Sequence, residues 1–137
     1  MFKADVYRIA IHSLGAILEE EHLAKMTIDK WNEENAEDRG LLFLQVPANS
    51  SDAPDLNLVI IDSIIDVTIV EKIIATDIPV VLLFSKYHDP KNSMQMELDE
   101  IESYRSKIQE NCICIDYEGT KSFSNVLISI LDSIIKN

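Results

Sequence analysis

Carboxylates and hydroxyls crowd the stretch that follows the apolar run Leu56–Ile61: Asp62, Ser63, Asp66, Thr68 and Glu71. Carboxylates move protons, and hydroxyls orient polar ligands. A second group, His12 with Ser13, follows the alternating Ile9 and Ile11. Ser85 follows a third apolar run, Pro79–Phe84. Each group stands just past residues that read as a β-strand. In open parallel sheets ligands bind beyond the carboxyl ends of the strands. These three groups are therefore the candidate site.

The elements that must position them alternate. Val6–His12 reads as a first strand, 16–36 as a long helix, and Leu41–Val46 as a second strand. Asn32–Gly40 is polar and closes on a glycine, the composition of a helix stop and loop. Pro47–Pro54, with its prolines and serines, reads as a surface loop. Leu56–Ile61, Asp66–Thr76 and Pro79–Phe84 make a strand, helix and strand. Both strands are unbroken apolar runs, as expected of a parallel unit buried on both faces. A helix over 94–110, a strand at Cys112–Tyr117 and a helix over 121–136 complete the chain. Phe123, Val126, Leu127, Ile130, Leu131 and Ile134 form the apolar stripe of the last helix.

This alternation predicts one α/β domain over residues 1–137, a flavodoxin-like three-layer sandwich. Its sheet is five-stranded, mostly parallel and ordered 2-1-3-4-5, with helices on both faces. No helix follows the second strand, so one face of the sheet should be thinly covered. That leaves room for a protein partner or a second copy of the chain.

Twenty-four acidic residues against 12 basic ones give a formal net charge of −12. Such a chain repels phosphate backbones and anionic membranes, which excludes nucleic acid as a partner. No apolar run approaches the roughly 20 residues of a membrane span, and the N-terminal residues lack the pattern of a signal peptide. The two cysteines, Cys112 and Cys114, share one face of a strand and are poorly placed to pair with each other. They read as core thiols in a reducing, cytoplasmic setting. His12, His22 and His88 lack metal-site spacing, so no metal and no cofactor is expected. His12 also reads as a hydrogen-bonded strand-end residue, and Trp31 as core packing.

The turn after the first strand, His12-Ser13-Leu14-Gly15-Ala16, has a single glycine. It therefore lacks both the phosphate-cradling P-loop and the dinucleotide fingerprint. Ser85-Lys86-Tyr87-His88-Asp89 departs from the Asn-Lys-x-Asp element of GTPases at the first residue and in the place of the aspartate.

Two stretches carry a resemblance. His12-Ser13-Leu14-Gly15-Ala16-Ile17-Leu18-Glu19-Glu20-Glu21-His22 resembles the signature Ser-Ser-Thr-x-x-Asp-Leu-x-x-Glu-Arg. That signature opens a TIR-like domain found at the N-terminus of STAND/NACHT signalling ATPases. Ser13, Leu18 and Glu21 match; His12, Leu14, Ile17 and His22 depart. The stretch from Asp66 to Val81 resembles the Asp-Ser-Gly-Thr-x-x-Glu-x-x-x-Ala-x-x-x-x-Lys-Pro-Val segment of nucleoside 2-deoxyribosyltransferases. Thr68, Glu71, Ala75, Pro79 and Val80 match in order and spacing. Val67 and Ile78 replace the family's glycine and basic residue.

The resemblance implies a nucleophilic role for Glu71. In the family a glutamate at this position attacks the anomeric carbon of an N-glycosidic bond and forms a glycosyl ester. Asp62 or Asp66 would then protonate the base or hold the sugar, with His12, Ser13 and Tyr7 on the opposite wall. Ser63, Thr68 and Ser85 would add ligand contacts. Val67 crowds the turn where glycine lets a ligand approach the backbone, which implies that catalysis is lost or weak.

The expectation is thus a TIR-like signalling or interaction module that binds a protein partner or a nucleotide-like ligand. The alternative is an N-glycosidic hydrolase or transferase acting on a nucleoside or NAD through Glu71. In a third reading, Asp62 and Lys86 resemble two parts of the phosphoacceptor pocket of receiver domains.

Overall fold

The structure is a computed structural model, and it describes residues 3–14, 18–47, 53–61, 67–85, 103, 106–108 and 112–135. Five strands form one sheet: β1 (Asp5–Leu14), β2 (Leu41–Val46), β3 (Leu56–Ile61), β4 (Val80–Ser85) and β5 (Ile113–Tyr117). Three helices are described over their length: α1 (Leu18–Arg39), α2 (Val67–Ile74) and α3 (Gly119–Ile135). Ser103 and residues 106–108 are helical as well; the rest of the 94–110 segment lies outside the described residues.

The sheet order is β2-β1-β3-β4-β5, and every neighbouring pair is parallel. This is the flavodoxin-like architecture, with a sheet that is parallel throughout rather than mostly so. The central strands carry the reason in their composition. All six residues of β3 are buried, and Val80–Phe84 of β4 is buried too. Only a strand covered on both faces can be apolar at every position.

Alternation along the strands sorts their side chains into two cores. Ile9, Phe43, Leu58, Ile60, Leu83 and Tyr117 pack with α1 and α3 through Ala24, Ile28, Trp31, Phe123, Leu127 and Leu131. Val59, Ile61, Val80, Leu82 and Phe84 pack with Val70 and Ile73 of α2 and with Ile108. Trp31 is a core residue, and its indole Nε1 donates to Asp132 Oδ1 at 3.1 Å, tying α1 to α3.

α1 runs on to Arg39, past the polar stretch from Asn32 that reads as a loop. Two contacts explain the extension. Ala36 is buried, and Asn32 is engaged with β2. Its Nδ2 donates to the Phe43 carbonyl at 2.8 Å, and its Oδ1 accepts from the Phe43 amide at 2.9 Å. This covers outward-facing backbone of an edge strand. Gly40 then ends the helix in the left-handed region at φ 65°, with its amide donating to the Ala36 carbonyl at 2.8 Å. β1 is likewise longer than its apolar alternation, extending from Asp5 to Leu14.

β2 is followed by β3 with no helix between them among the described residues. The consequence appears on the α2 side of the outer strands, where Val6 and Leu44 are each 44% exposed. No described helix is long and apolar enough to cross a membrane.

Candidate functional site

α2 settles which of its residues face the protein. Val70 and Ile73 are buried in the second core, while Thr68, Glu71 and Ala75 are exposed. At 3.6 residues per turn, positions 68, 71 and 75 fall on one side and 70 and 73 on the other. The residues matched to the deoxyribosyltransferase segment within α2 and just after it therefore form the helix's outward stripe.

His12 and Ser13 are separated by the same geometry that makes them neighbours in sequence. Successive strand residues point to opposite faces. His12 turns to the α2 side, where its Nε2 lies 2.9 Å from Asn57 Oδ1. Ser13 turns to the other side, and its hydroxyl donates to Glu21 Oε2 at 3.1 Å. Tyr7 also lies on that side, edge-on to Phe43 with ring centroids 5.8 Å apart. Burial, and secondarily the Asp55 carboxylate, push its phenol above the usual range. A single wall of His12, Ser13 and Tyr7 is thus not formed. Ser85 ends β4 opposite Tyr117 of β5. Asp62, Ser63 and Asp66 lie outside the described residues, as does Lys86.

What the fold does assemble is a cleft of about 460 Å³ on the α2 side of the sheet. His12 and Asn57 come from β1 and β3 and form its floor. Pro47, Ala53 and Pro54, from the connection between β2 and β3, line one side. Ile69, Ile73 and Ile78, on and after α2, line the other, with Lys72 and Thr76 beside them. Among the described residues no helix lies between β2 and β3 on this side of the sheet.

Asn57 is the residue that patterns in the sequence did not single out. It is the one polar side chain in an otherwise apolar strand, and it is 4% exposed. A polar group in that position demands a partner, and His12 supplies one. Its backbone amide is held separately, donating to the Pro79 carbonyl at 2.9 Å. Thr76 Oγ1 donates to the Ile73 carbonyl at 2.7 Å, closing the end of α2 and keeping its lone pairs for an acceptor role. Glu71 and Thr68 are not among the residues that line the cleft.

The two cysteines form no disulfide among the described residues and are half-buried rather than fully buried core thiols, and both pack against the α2-side core. Cys112 Sγ donates to the Ile108 carbonyl at 3.3 Å. Burial and the neighbouring Cys114 push its thiol up to about 12. Among the described residues no group of three or more His, Cys, Asp or Glu is arranged to hold a metal ion.

No protein-family model matches the sequence, and no curated protein is significantly similar to it. Among solved structures, the chain is similar to the apo form of translation elongation factor SelB from Methanococcus maripaludis, with a TM-score of 0.58 and 13% sequence identity. The match covers 98% of this chain and 37% of the SelB chain. At that identity the likeness concerns the fold alone.

Proposed function

We propose that the chain is a TIR-like interaction module that works by binding rather than by catalysis, in a reducing, cytoplasmic setting. One observation carries this reading: Thr68 and Glu71 form the outward stripe of α2, while the neighbouring cleft is lined by His12, Asn57, Lys72 and Thr76. A nucleophilic glutamate needs a substrate held against it and screened from water. Glu71 has solvent on its side of the helix, and the cleft's described lining offers hydrogen bonds and one cation but no carboxylate. That is the composition of a site that holds a polar ligand.

The exposed Val6 and Leu44 beside it support a second use of the same sheet face, for a protein partner. Two cysteines that form no disulfide with each other support the reducing compartment.

The test is incubation with NAD and with deoxynucleosides, followed by chromatography for free base. No release above a protein-free control is the expected result. Release that disappears in Glu71→Gln replaces this reading with an N-glycosidic hydrolase or transferase.

A further inference from the structure

We propose that the cleft beside α2 is a mononucleotide site, with the base edge inward on Asn57 and the phosphate outward at Lys72. This rests on the reading of the chain as a binding module, and it names the ligand class and the residues that hold it.

The floor gives the first argument. Asn57 is 4% exposed, and its carboxamide meets His12 through one atom only. An amide oxygen has two lone pairs and an amide nitrogen two hydrogens. Whichever way the amide is oriented toward His12, a donor and an acceptor remain side by side. They have no partner among the described residues. Asn57 lines the cleft, so a ligand there can meet both groups in place of water. A planar ligand edge with its own adjacent donor and acceptor satisfies both at once. Nucleobases present such edges, and carboxamides read them in pairs.

The sides give the second. Pro47 and Pro54 line the cleft together with Ile69, Ile73 and Ile78. Apolar side chains beside the polar pair His12 and Asn57 suit a flat ring. A volume of about 460 Å³ falls within the range of small-molecule pockets, roughly 300–1,000 Å³.

Charge gives the third. Lys72 is the cation of the described lining, and it joins no ion pair among the described residues. The protein's net charge of −12 opposes an anion at long range. At physiological ionic strength that field is screened over about 8 Å, so the adjacent ammonium dominates at the mouth. The Thr76 hydroxyl beside it accepts from a ribose hydroxyl.

The experiment is NMR titration of the full chain with the four 5′-mononucleotides and the four matching nucleosides. At least one mononucleotide should bind saturably and shift the resonances of His12, Asn57 and Thr76. Its nucleoside should bind at least threefold more weakly. Lys72→Gln should erase that difference by weakening the mononucleotide alone, and Asn57→Leu should weaken both at least tenfold. Lys72 is exposed, so its variant tests the site even if the Asn57 variant unfolds. No binding at millimolar concentration overturns the site, as does binding that both folded variants leave unchanged. Free base accumulating in the same tubes overturns the non-catalytic reading instead, while shifts confined to the cleft still uphold the site.

Discussion

Among the described residues, the two faces of the sheet carry different amounts of helix. On one face α1 and α3, of 22 and 17 residues, lie over the strands and close a core that includes Trp31, Phe43, Tyr117 and Phe123. On the other, the described cover is α2, of 8 residues, with the turn at Ile108. It seals β3 and β4 but leaves β1 and β2 partly open, with Val6 and Leu44 exposed and the cleft between. The same strands contribute to both sides, so strand composition does not explain the contrast. It coincides with a connection between β2 and β3 that carries no described helix. The described helices close the first face, while the second keeps the cleft.

The largest expected effect tests the first half of that contrast. Phe123 is fully buried and packs edge-on to Tyr117 with ring centroids 5.1 Å apart. Phe123→Ala should cost about 3–5 kcal/mol in urea unfolding. Ile69→Ala, on the cleft side and 39% exposed, should cost less, about 1–2 kcal/mol, since over a third of its area stays in water. Equal losses at the two sites would break the contrast.

Next in size is the edge of β2. Asn32 occupies both polar groups of Phe43, and it is half-buried. Asn32→Ala removes both bonds and leaves an amide and a carbonyl unmet, for a loss of about 1–3 kcal/mol. Asn32→Asp keeps the acceptor for the Phe43 amide and should lie between alanine and wild type. An alanine variant as stable as wild type would show that solvent serves the edge equally well.

The contrast between faces was only partly legible in the sequence. The unbroken apolar runs of β3 and β4 announce burial on both sides, and the missing helix after β2 announces a thin face. Strand order follows from the alternation of elements. The site was less legible because strand and helix periodicity disperses residues that are neighbours in sequence. His12 and Ser13 are adjacent, so a strand must send them to opposite faces. Thr68 and Glu71 are three apart and Ala75 four further on, so a helix must align them on one stripe. That stripe lies opposite Val70 and Ile73, the apolar pair that any packed helix turns inward. Asn57 was visible as a polar interruption of an apolar strand. Its partner was not, because the register Ala10 opposite Asn57 that brings His12 within reach is set by tertiary pairing.

The thiols of β5 sharpen the contrast on the α2 side. Burial and Cys114 hold the Cys112 thiol at about 12, against an ordinary 9.0. The folded protein therefore keeps a proton that the unfolded chain releases. Stability from this source is full below pH 9, declines as pH rises from there, and is gone near 12. The Tyr7 phenol, also raised, acts in the same direction. Cys112→Ser should flatten the decline between pH 9 and 10.5 relative to wild type in denaturant titrations. In native protein at pH 8, iodoacetamide should label Cys112 more slowly than an unfolded control, because the thiolate is the nucleophile. Labelling at the unfolded rate would mean that this part of the thin face is open.

The smallest expected effect concerns the residue on which a catalytic reading depends. Glu71 is exposed, and among the described residues it makes no ion pair and does not line the cleft. Exposed substitutions of this kind change stability by less than about 0.5 kcal/mol. Glu71→Gln should therefore unfold at the wild-type denaturant concentration and bind a mononucleotide with wild-type affinity. Lys72→Gln, one residue away on the side that meets the cleft, should leave stability equally untouched while weakening the mononucleotide. The paired variants ask whether function follows the sequence motif or the face of the helix. A binding loss in Glu71→Gln that matches or exceeds the loss in Lys72→Gln would return the site to the outward stripe.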